Sequence, residues 1–262
     1  MTTIDPSQSE SLSLIGRRAV VTGSTSGIGV ATARLLAARG AHVLITGRDR
    51  VSGDSVVADI QRDGGVAAFV PSDLSAAPDE LRSAARSWES ALGGTVDLLV
   101  HNAAVCPAVD TLSLTDEQLA ATLAVNIRAP HVLTAALVPG MIERGDGIIV
   151  VIGSWMSTVG HAIVGLYSAS KSAEEQLARS WAAEFGPRGI RVNTVSPGAT
   201  RTPINAGAGD VITRMTSGTP GGRPGTPDEI AAAVAWLASP QAAYIHGATL
   251  AVDGGITSTR AA

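Results

Sequence analysis

Short apolar runs alternate with longer amphipathic segments along most of the 262 residues. The short runs are apolar at nearly every position, as in GIIVVI at 147–152. Strands buried on both faces of a parallel sheet have this pattern, whereas half-exposed strands alternate polar and apolar residues. The pattern predicts strands at 18–22, 42–46, 67–70, 97–100, 147–152, 191–195 and 249–252.

The longer segments between these strands have the apolar spacing of helices. Gly40 stands where glycine commonly ends a helix, and Pro130 and Pro139 predict boundaries or kinks in the longest helical segment. Regular alternation of strands and helices favours an α/β fold in which helices cover both faces of a parallel sheet. The predicted helices are 27–39, 51–62, 78–92, 115–144, 166–185 and 226–237.

The segment 197–227 interrupts this alternation. It is rich in Gly, Pro and Thr, and its weak periodicity predicts a stretch without helix or strand. Loops of that length are uncommon in compact domains and are usually functional. We therefore expect 197–227 to form a lid over a substrate site.

The length fits one large domain and is short for two. We expect a flexible N-terminal tail over 1–13, where the sequence is polar, and a single domain over 14–262. Aromatic residues make up only 3% of the chain, so Ala, Val, Leu and Ile must build the core.

Charge and cysteine content argue against several classes of protein. The formal net charge is −4 and no basic stripe stands out, which disfavours nucleic-acid binding. Cys106 is the single cysteine, so we expect no internal disulfide and no metal site, and a cytoplasmic location fits. We expect no membrane helix, because no uninterrupted apolar run reaches the ~18 residues it needs, and the polar N-terminus does not resemble a signal peptide. The expected partner is a small molecule.

A glycine-rich turn, TGSTSGIG at 22–29, follows the first predicted strand. Gly23, Gly27 and Gly29 lack Cβ atoms, so backbone N–H groups in such a turn can approach a pyrophosphate at a helix N-terminus. The spacing Gly-x-x-x-Gly-x-Gly is not a P-loop, because no Lys-Ser or Lys-Thr pair follows. The alternative interpretation is an ordinary glycine-rich turn between strand and helix.

Three polar residues predict acid–base chemistry. Tyr167 and Lys171 are four residues apart, so on a helix they share one face. A neighbouring ammonium favours the phenolate and lowers the pKa of a tyrosine from about 10. Ser154 follows the strand 147–152, at the edge where open α/β sheets bind ligands. Taken alone, Tyr167 and Lys171 are also compatible with a pair on a helix surface.

Together these motifs resemble the short-chain dehydrogenases/reductases, in the branch of roughly 250-residue single-domain enzymes. The resemblance extends from about residue 14 to 255, and it implies a Rossmann-like, doubly wound parallel sheet of strand order 3-2-1-4-5-6-7. The chain would then be a dinucleotide-binding catalytic domain and commonly a homotetramer. The matching motifs are TGSTSGIG at 22–29, Asp73, Asn102-Ala103-Ala104, Asn126, Ser154, YSASK at 167–171, RVNTVSPGATRT at 191–202 and HGATLAVDGG at 246–255.

The resemblance also implies a role for each site residue. Tyr167 would exchange a proton with the substrate oxygen, and Lys171 would lower the pKa of Tyr167 and bind the nicotinamide ribose. Ser154 would polarise the carbonyl, and Asn126 would hold a water that links Lys171 to solvent. The implied cofactor-binding residues are Gly23, Ser24, Thr25, Ser26, Gly27, Ile28, Gly29, Arg48, Asp73, Leu74, Asn102, Ala103, Ala104, Tyr167, Lys171, Pro197, Gly198, Thr200 and Thr202. His101 departs from the family pattern, and we interpret it as a core residue at the strand end.

The end of the second strand indicates which nicotinamide binds. NAD-preferring relatives carry an acidic side chain there, whereas this chain has Gly47 followed by Arg48. A guanidinium binds the 2′-phosphate of NADP with paired hydrogen bonds, so NADP (as NADPH) is the expected cofactor. NAD stays possible, because Asp49 could take the acidic role and Ser26 stands where many NADP-dependent relatives carry a basic residue.

The predicted function is an NADP-dependent oxidoreductase that transfers a hydride between nicotinamide and a ketone or secondary alcohol. Trp155, Met156 and His161 lie between Ser154 and Tyr167, which makes them candidate walls of the substrate pocket. The alternatives are an NAD-dependent alcohol dehydrogenase of the same family or a family epimerase or dehydratase.

Overall fold

The computed structural model describes residues 12–259, except for the side chains at 204, 206, 208 and 209. Most of the predicted tail 1–13 therefore lies outside the described residues. Seven parallel strands form one sheet of order β3-β2-β1-β4-β5-β6-β7, which confirms the predicted α/β fold and strand order. The strands are β1 Arg18–Val21, β2 His42–Gly47, β3 Val66–Pro71, β4 Leu98–His101, β5 Gly147–Ile152, β6 Ile190–Pro197 and β7 Thr249–Val252.

Helices cover both faces of this sheet. They are α1 Gly27–Ala38, α2 Arg50–Arg62, α3 Pro78–Leu92, α4 Asp116–Leu123, α5 Ala129–Arg144, α6 Gly165–Phe185, α7 Gly209–Ser217 and α8 Pro227–Leu237. Residues of α1, α2 and α8 pack in one core with the sheet, and residues of α3, α5 and α6 pack in the other. Successive strand residues point to opposite faces, so Val43 and Ile45 enter the first core while Leu44 enters the second. The near-continuous apolar strands are therefore buried on both sides.

The order of the sheet reverses beside β1. The strands β2 and β3 lie on one side of β1, whereas the chain returns on the other side through β4. Helices that leave neighbouring strands in opposite directions open a crevice at the carboxyl ends of those strands. The fold thus positions the β1–α1 turn and the segment after β4 at the same edge of the sheet.

The long predicted helix 115–144 changes its geometry in the middle. Between α4 and α5, Ala124–Arg128 forms a π-helical turn. Pro130 has no N–H to donate to the carbonyl of Asn126 four residues earlier, so regular α-helical bonding cannot continue there. The predicted boundary at Pro130 is confirmed, whereas Pro139 lies inside α5 and does not end it.

The same segment corrects the expectation that no apolar run could span a membrane. Asp116–Arg144 has 29 residues and a mean hydropathy of 1.3 in its most apolar window, enough by length and composition alone. However, 56% of that window is buried in the fold. Leu133, Leu137 and Met141 pack with β5 and α6 in the second core, which accounts for the apolar character without a membrane.

The prediction of no secondary structure over 197–227 is wrong. The segment contains a 3-10 helix, Pro203–Ala208, followed by α7. Ile212 is buried and Met215 follows it one turn later, which is the spacing of a short amphipathic helix. Two apolar turns among many Gly and Thr residues are too short a pattern to stand out from the sequence.

Candidate active site

A cleft of about 910 Å³ lies at the carboxyl edge of the sheet. It is lined from the β1–α1 turn, from the ends of β2, β4, β5 and β6, and from α6 and α7. Ser24, Gly29 and Asn126 are the predicted site residues that do not line it. The predicted residues that do are Gly23, Thr25, Ser26, Gly27, Ile28, Arg48, Asp73, Leu74, Asn102, Ala103, Ala104, Ser154, Trp155, Met156, His161, Tyr167, Lys171, Pro197, Gly198, Thr200 and Thr202.

The β1–α1 turn depends on its glycines. Gly23 and Gly27 have φ angles of +64° and +55°, which residues with a Cβ atom rarely adopt. A Cβ atom on Gly29 would stand only 2.5 Å from the carbonyl oxygen of Gly23. Ser24 is buried, and its hydroxyl donates to Val21 O at 2.6 Å and accepts from Thr46 N at 3.0 Å. Ser24 therefore anchors the turn to the neighbouring strands instead of facing the cleft.

The end of β4 braces the same turn. Asn102 Nδ2 donates to the carbonyl oxygens of Thr22 at 2.8 Å and Gly23 at 3.1 Å. His101 is buried, and its Nε2 hydrogen-bonds the Thr134 hydroxyl at 2.9 Å. Burial lowers the pKa of His101 to about 3, with a smaller contribution from Lys171. His101 does not line the cleft, in agreement with its interpretation as a core residue.

The turn after β2 separates the two candidates for recognition of the cofactor ribose. The Asp49 carboxylate caps α2, because it accepts from Val51 N at 3.0 Å and from the Ser52 hydroxyl. Arg48 is exposed and lines the cleft. Hydrogen bonds from Ser75 lower the pKa of Asp73, and the positive charge of Arg48 lowers it further. Asp49 is thus occupied by its own helix, whereas Arg48 faces the cleft beside Asp73.

On the opposite side of the cleft, α6 presents Tyr167 and Lys171. Lys171 is buried, and its Nζ donates to Ile152 O at 2.7 Å and to Glu174 Oε2 at 2.7 Å. Desolvation is the largest single influence and lowers the pKa of Lys171, but Glu174, Tyr167 and Glu175 together outweigh it, so the pKa is raised overall. The ammonium is therefore held in place by the end of β5 and by its own helix.

Tyr167 and Ser154 form the second part of this arrangement. Burial raises the pKa of Tyr167, whereas the charge of Lys171 and a hydrogen bond with Ser154 act in the opposite direction. Lys171 thus pulls the pKa down as expected, but burial is stronger. Ser154 Oγ also accepts from Met156 N at 3.2 Å, which orients the hydroxyl at the end of β5.

Asn126 lies behind the cleft in the π-helical turn. Its Nδ2 donates to Val105 O and to Ser170 Oγ, both at 2.9 Å, and its Oδ1 accepts from Val105 N at 2.9 Å. These bonds join the segment after β4 to α6 next to Lys171. Both amide protons of Asn126 are donated within the protein, so its side chain contacts Val105 and Ser170 instead of the cleft.

Two buried acidic residues of α6 were not among the predicted site residues. Glu174 is fully buried and paired with Lys171, and Glu175 is buried while accepting from Ser157 Oγ at 2.7 Å. Glu175 Oε1 also receives a long bond of 3.4 Å from Ser154 N. Positions 167, 171 and 174 share one helix face, so the spacing from Lys171 was a signal for Glu174.

Several large side chains also line the cleft. They include the candidate pocket residues Trp155, Met156 and His161, and Val211 and Met215 of α7. The lining also includes Cys106, which is exposed. Partial burial of its thiol raises the pKa of Cys106, which disfavours a nucleophilic thiolate. Within residues 12–259, no group of three or more His, Cys, Asp or Glu side chains is arranged to hold a metal ion.

Known proteins resemble the chain over nearly its whole length. The family model described as "Enoyl-(Acyl carrier protein) reductase" matches residues 23–257. The 3-oxoacyl-[acyl-carrier-protein] reductase of Vibrio cholerae is 36% identical, over 94% of this chain and 99% of its own. A solved structure called a short chain dehydrogenase/reductase family protein is 43% identical, with TM-score 0.86 over 94% of this chain and 99% of its own.

A third relative was solved with a nicotinamide cofactor. The gluconate 5-dehydrogenase of Burkholderia cenocepacia, in complex with NADP and tartrate, is 31% identical, with TM-score 0.88 over 96% of this chain and 99% of its own. Fold and comparisons together define an NAD(P)-dependent oxidoreductase that acts on alcohol and carbonyl groups. The chain belongs to the short-chain dehydrogenase/reductase family.

Proposed function

We propose that this enzyme uses NADP(H) to interconvert a ketone and a secondary alcohol, with Tyr167 as the general acid and base. The observation that carries the proposal is the convergence of Tyr167, Lys171 and Ser154 on the cleft that also contains the glycine-rich turn. A tuned proton donor and a dinucleotide site in one cleft are what hydride transfer to a carbonyl requires.

The cleft fits a dinucleotide. Its volume of about 910 Å³ is within the range of ligand pockets, and the left-handed backbone at Gly23 and Gly27 leaves the turn free of Cβ atoms where phosphates would approach. When bound, the reduced nicotinamide supplies the hydride. The residues that would hold the cofactor are the predicted cofactor-binding residues that line the cleft, from Gly23 to Thr202. Ser24 and Gly29 would shape the turn from behind.

The catalytic residues divide the proton chemistry among them. Tyr167 would donate its phenolic proton to the carbonyl oxygen as the alcohol forms, and Ser154 would hold that oxygen by a hydrogen bond. Two of the three ammonium protons of Lys171 are donated to Ile152 O and Glu174. The third proton is left for a ribose hydroxyl. Lys171 would therefore bind the cofactor and, at the same time, lower the pKa of Tyr167 through its charge.

We also assign Asn126 to proton supply. Pro130 cannot donate a hydrogen bond to the main-chain carbonyl of Asn126. The side-chain amide of Asn126 bonds to Val105 and to Ser170, which is one residue before Lys171. A water bound at this π-helical turn would link Lys171 to solvent. A proton from solvent could then replace the one that Tyr167 donates.

NADP is favoured over NAD by the turn after β2. Arg48 faces the cleft with an exposed guanidinium, whereas the competing Asp49 carboxylate caps α2. A guanidinium attracts a 2′-phosphate, and no carboxylate is left at this turn to accept from a ribose 2′-hydroxyl. The relative from Burkholderia cenocepacia, solved with NADP, agrees with this assignment.

The substrate is a ketone or secondary alcohol of moderate size. Trp155 and Met156 provide an apolar wall, and His161 Nδ1 is buried without a hydrogen-bond partner among the described residues. Residues 197–227 would act as a lid, because Val211 and Met215 of α7 line the same cleft. The relatives named above are a 3-oxoacyl-[acyl-carrier-protein] reductase and a gluconate 5-dehydrogenase, so family membership alone does not determine the substrate.

The test is a panel of ketones and secondary alcohols assayed by nicotinamide absorbance with NADPH, NADH and their oxidised forms. We expect turnover of at least one ketone with a higher kcat/KM for NADPH than for NADH. Turnover with a preference for NADH would contradict the assignment of Arg48 and make the NAD-dependent alternative correct.

We further propose a cytoplasmic homotetramer built from single-domain subunits. Leu119 and Leu123 are exposed apolar residues one helical turn apart on α4, and Tyr244 is fully exposed, so apolar surface is available for contacts between subunits. Light scattering should give the mass of four chains, and a monomeric mass would reject this assembly.

A further inference from the structure

Glu174 is the buried charged residue that the proposed function leaves unexplained. Its Oε2 accepts a 2.7 Å hydrogen bond from Lys171 Nζ, and its side chain is fully buried. Its other oxygen, Oε1, has no hydrogen-bond partner among the described residues. A buried carboxylate with an unsatisfied oxygen is costly, so a compensating role at this place is expected.

The position of Glu174 connects it with the reacting groups. It lies three residues after Lys171 and seven after Tyr167 on α6, so the three side chains project from one helix face. Lys171 Nζ also donates to Ile152 O at 2.7 Å, which fixes the ammonium from the end of β5. Glu174 therefore contacts the group that acts on Tyr167.

We propose that Glu174 is the counter-ion of Lys171 and a positioning residue of the reaction. Its carboxylate holds the ammonium in place and offsets the positive charge that Lys171 presents to Tyr167. This inference rests on the proposed function, because Glu174 would act only through Lys171 and Tyr167.

Electrostatics explains why the offset matters. A single ammonium beside a phenol stabilises the phenolate, whereas a close ion pair does so much less because its charges nearly cancel. The pKa of Tyr167 is raised mainly by burial, lowered by Lys171 and raised again by Glu174. The pair therefore favours the protonated phenol, which is the form that donates a proton to a carbonyl. Glu174 thus extends to higher pH the range in which Tyr167 stays protonated, the form that reduction requires.

The offset also depends on pH. Burial raises the pKa of Glu174 to about 7, although the neighbouring Lys171 acts in the opposite direction. Below that pH the carboxyl group is mostly neutral, and Lys171 acts on Tyr167 without this offset. Above it the carboxylate cancels much of the ammonium charge.

The other ionisable groups around the pair do not take this role. Glu175, on the same helix, accepts from Ser157 Oγ at 2.7 Å, so its carboxylate is directed at another donor. His101 comes from β4, and burial lowers its pKa to about 3. Cys106 comes from the segment after β4, and burial raises the pKa of its thiol. His101 and Cys106 are therefore neutral near neutral pH, and Glu174 is the acidic group bonded to the ammonium.

A spectroscopic titration tests the inference without relying on activity. The chain contains two tyrosines, Tyr167 and the fully exposed Tyr244, so Tyr244→Phe leaves Tyr167 as the source of tyrosinate absorbance. In that background, Glu174→Gln keeps an oxygen acceptor for Lys171 and removes the negative charge. We expect the Tyr167 midpoint to fall by roughly 1 pH unit, the lower end of the shift that a neighbouring ammonium without a counter-ion produces. Glu184→Gln, on the exposed side of the same helix, is the matched control and should leave the midpoint unchanged.

The pH dependence of kcat in the reductive direction is the second readout. It covers the case in which the alkaline midpoint exceeds the range where the protein stays folded. Reduction requires protonated Tyr167, so the alkaline limb should move to lower pH in Glu174→Gln. Glu174→Asp should give a smaller shift in the same direction, because its shorter side chain withdraws the carboxylate from Lys171. This variant carries the test if circular dichroism shows that Glu174→Gln is unfolded.

Two results would overturn the assignment: a midpoint and limb that stay in place, or a displacement to higher pH. Tyr167→Phe distinguishes such a failure from failure of the proposed function. If Tyr167→Phe is inactive while the Glu174 variants titrate like wild type, only the counter-ion role is wrong. If Tyr167→Phe is active, the proposed acid–base role of Tyr167 is wrong, whatever the Glu174 variants show.

Discussion

The two sides of the cleft hold their residues by different means. On the side of β1 and β2, the backbone conformation of Gly23 and Gly27 shapes the turn, and the exposed Arg48 supplies the charge. On the side of β5 and α6, buried side chains supply the charge, because Lys171 and Glu174 form an ion pair shielded from solvent. One side is thus a glycine-rich turn with an exposed positive charge, and the other is a buried ion pair.

The difference determines what each side responds to. A surface guanidinium is screened by salt and keeps its charge at any ordinary pH. A buried pair is little screened, and its net charge depends on the protonation of Glu174, whose pKa burial raises to about 7. We therefore expect cofactor preference to vary with ionic strength and proton transfer to vary with pH.

The largest expected effect is on the buried side. Tyr167→Phe keeps the ring and removes the phenolic proton, so kcat should fall by ~10²- to 10⁴-fold, as for a lost general acid. The change in folding should be small, because the ring stays in place. Steady-state kinetics together with circular dichroism measures both, and near-normal turnover by a folded variant would exclude Tyr167 as the acid.

Lys171→Met tests whether the ion pair is also structural. The change leaves Glu174 buried without its partner, which costs about 3–5 kcal/mol when a buried pair is broken. The loss should be greater at alkaline pH than near pH 5, because an unpaired Glu174 avoids the cost by binding a proton. The sign follows from a folded-state pKa above the unfolded value, so stability falls as pH rises.

Chemical denaturation of wild type and Lys171→Met at the two pH values measures this difference. Adding Glu174→Gln to Lys171→Met should recover most of the loss at alkaline pH, since no buried charge then remains. An equal loss at both pH values, without recovery in the double variant, would show that the defect comes from packing.

The smallest effect is expected on the exposed side. Arg48→Ala removes a charge-assisted bond to the 2′-phosphate, worth about 1.5–3 kcal/mol, so kcat/KM for NADPH should fall roughly 10- to 150-fold. Kinetics with NADH should hardly change, and added salt should reduce the wild-type preference for NADPH.

Two neighbouring variants serve as controls for Arg48→Ala. Arg50→Ala removes an exposed arginine that lies over the Phe69 ring and does not line the cleft, so it should leave both cofactors unaffected. Asp49→Asn should largely keep the cap of α2, because asparagine is a comparable N-cap, and should have no selective effect on NADH. A selective loss of NADH binding in Asp49→Asn would instead make Asp49 the ribose ligand.

Much of the fold could be read from the sequence because its signals are local. The apolar runs and glycine stops placed the strands and most helices within about two residues of their observed bounds. The strand order came from the resemblance carried by the motifs. Helix α7 was missed, because its few apolar residues stand among Gly and Thr. They are recognisable as one face of a helix only when the position of the cleft is known.

Local sequence also predicted the site residues that act through spacing, whereas contacts between elements needed the tertiary structure. Tyr167 and Lys171 were predicted because residues four apart share a helix face. The turn at 22–29 was predicted because its glycines lack Cβ atoms and let a pyrophosphate approach the backbone. The sequence left Asp49 open as a ribose ligand, and only the fold shows its carboxylate capping α2. Likewise, the burial of Glu174 against Lys171 could not be predicted from the sequence, because it depends on which elements cover that face of α6. Charge and burial together determine a pKa, so the electrostatics of this site was decided by the tertiary structure.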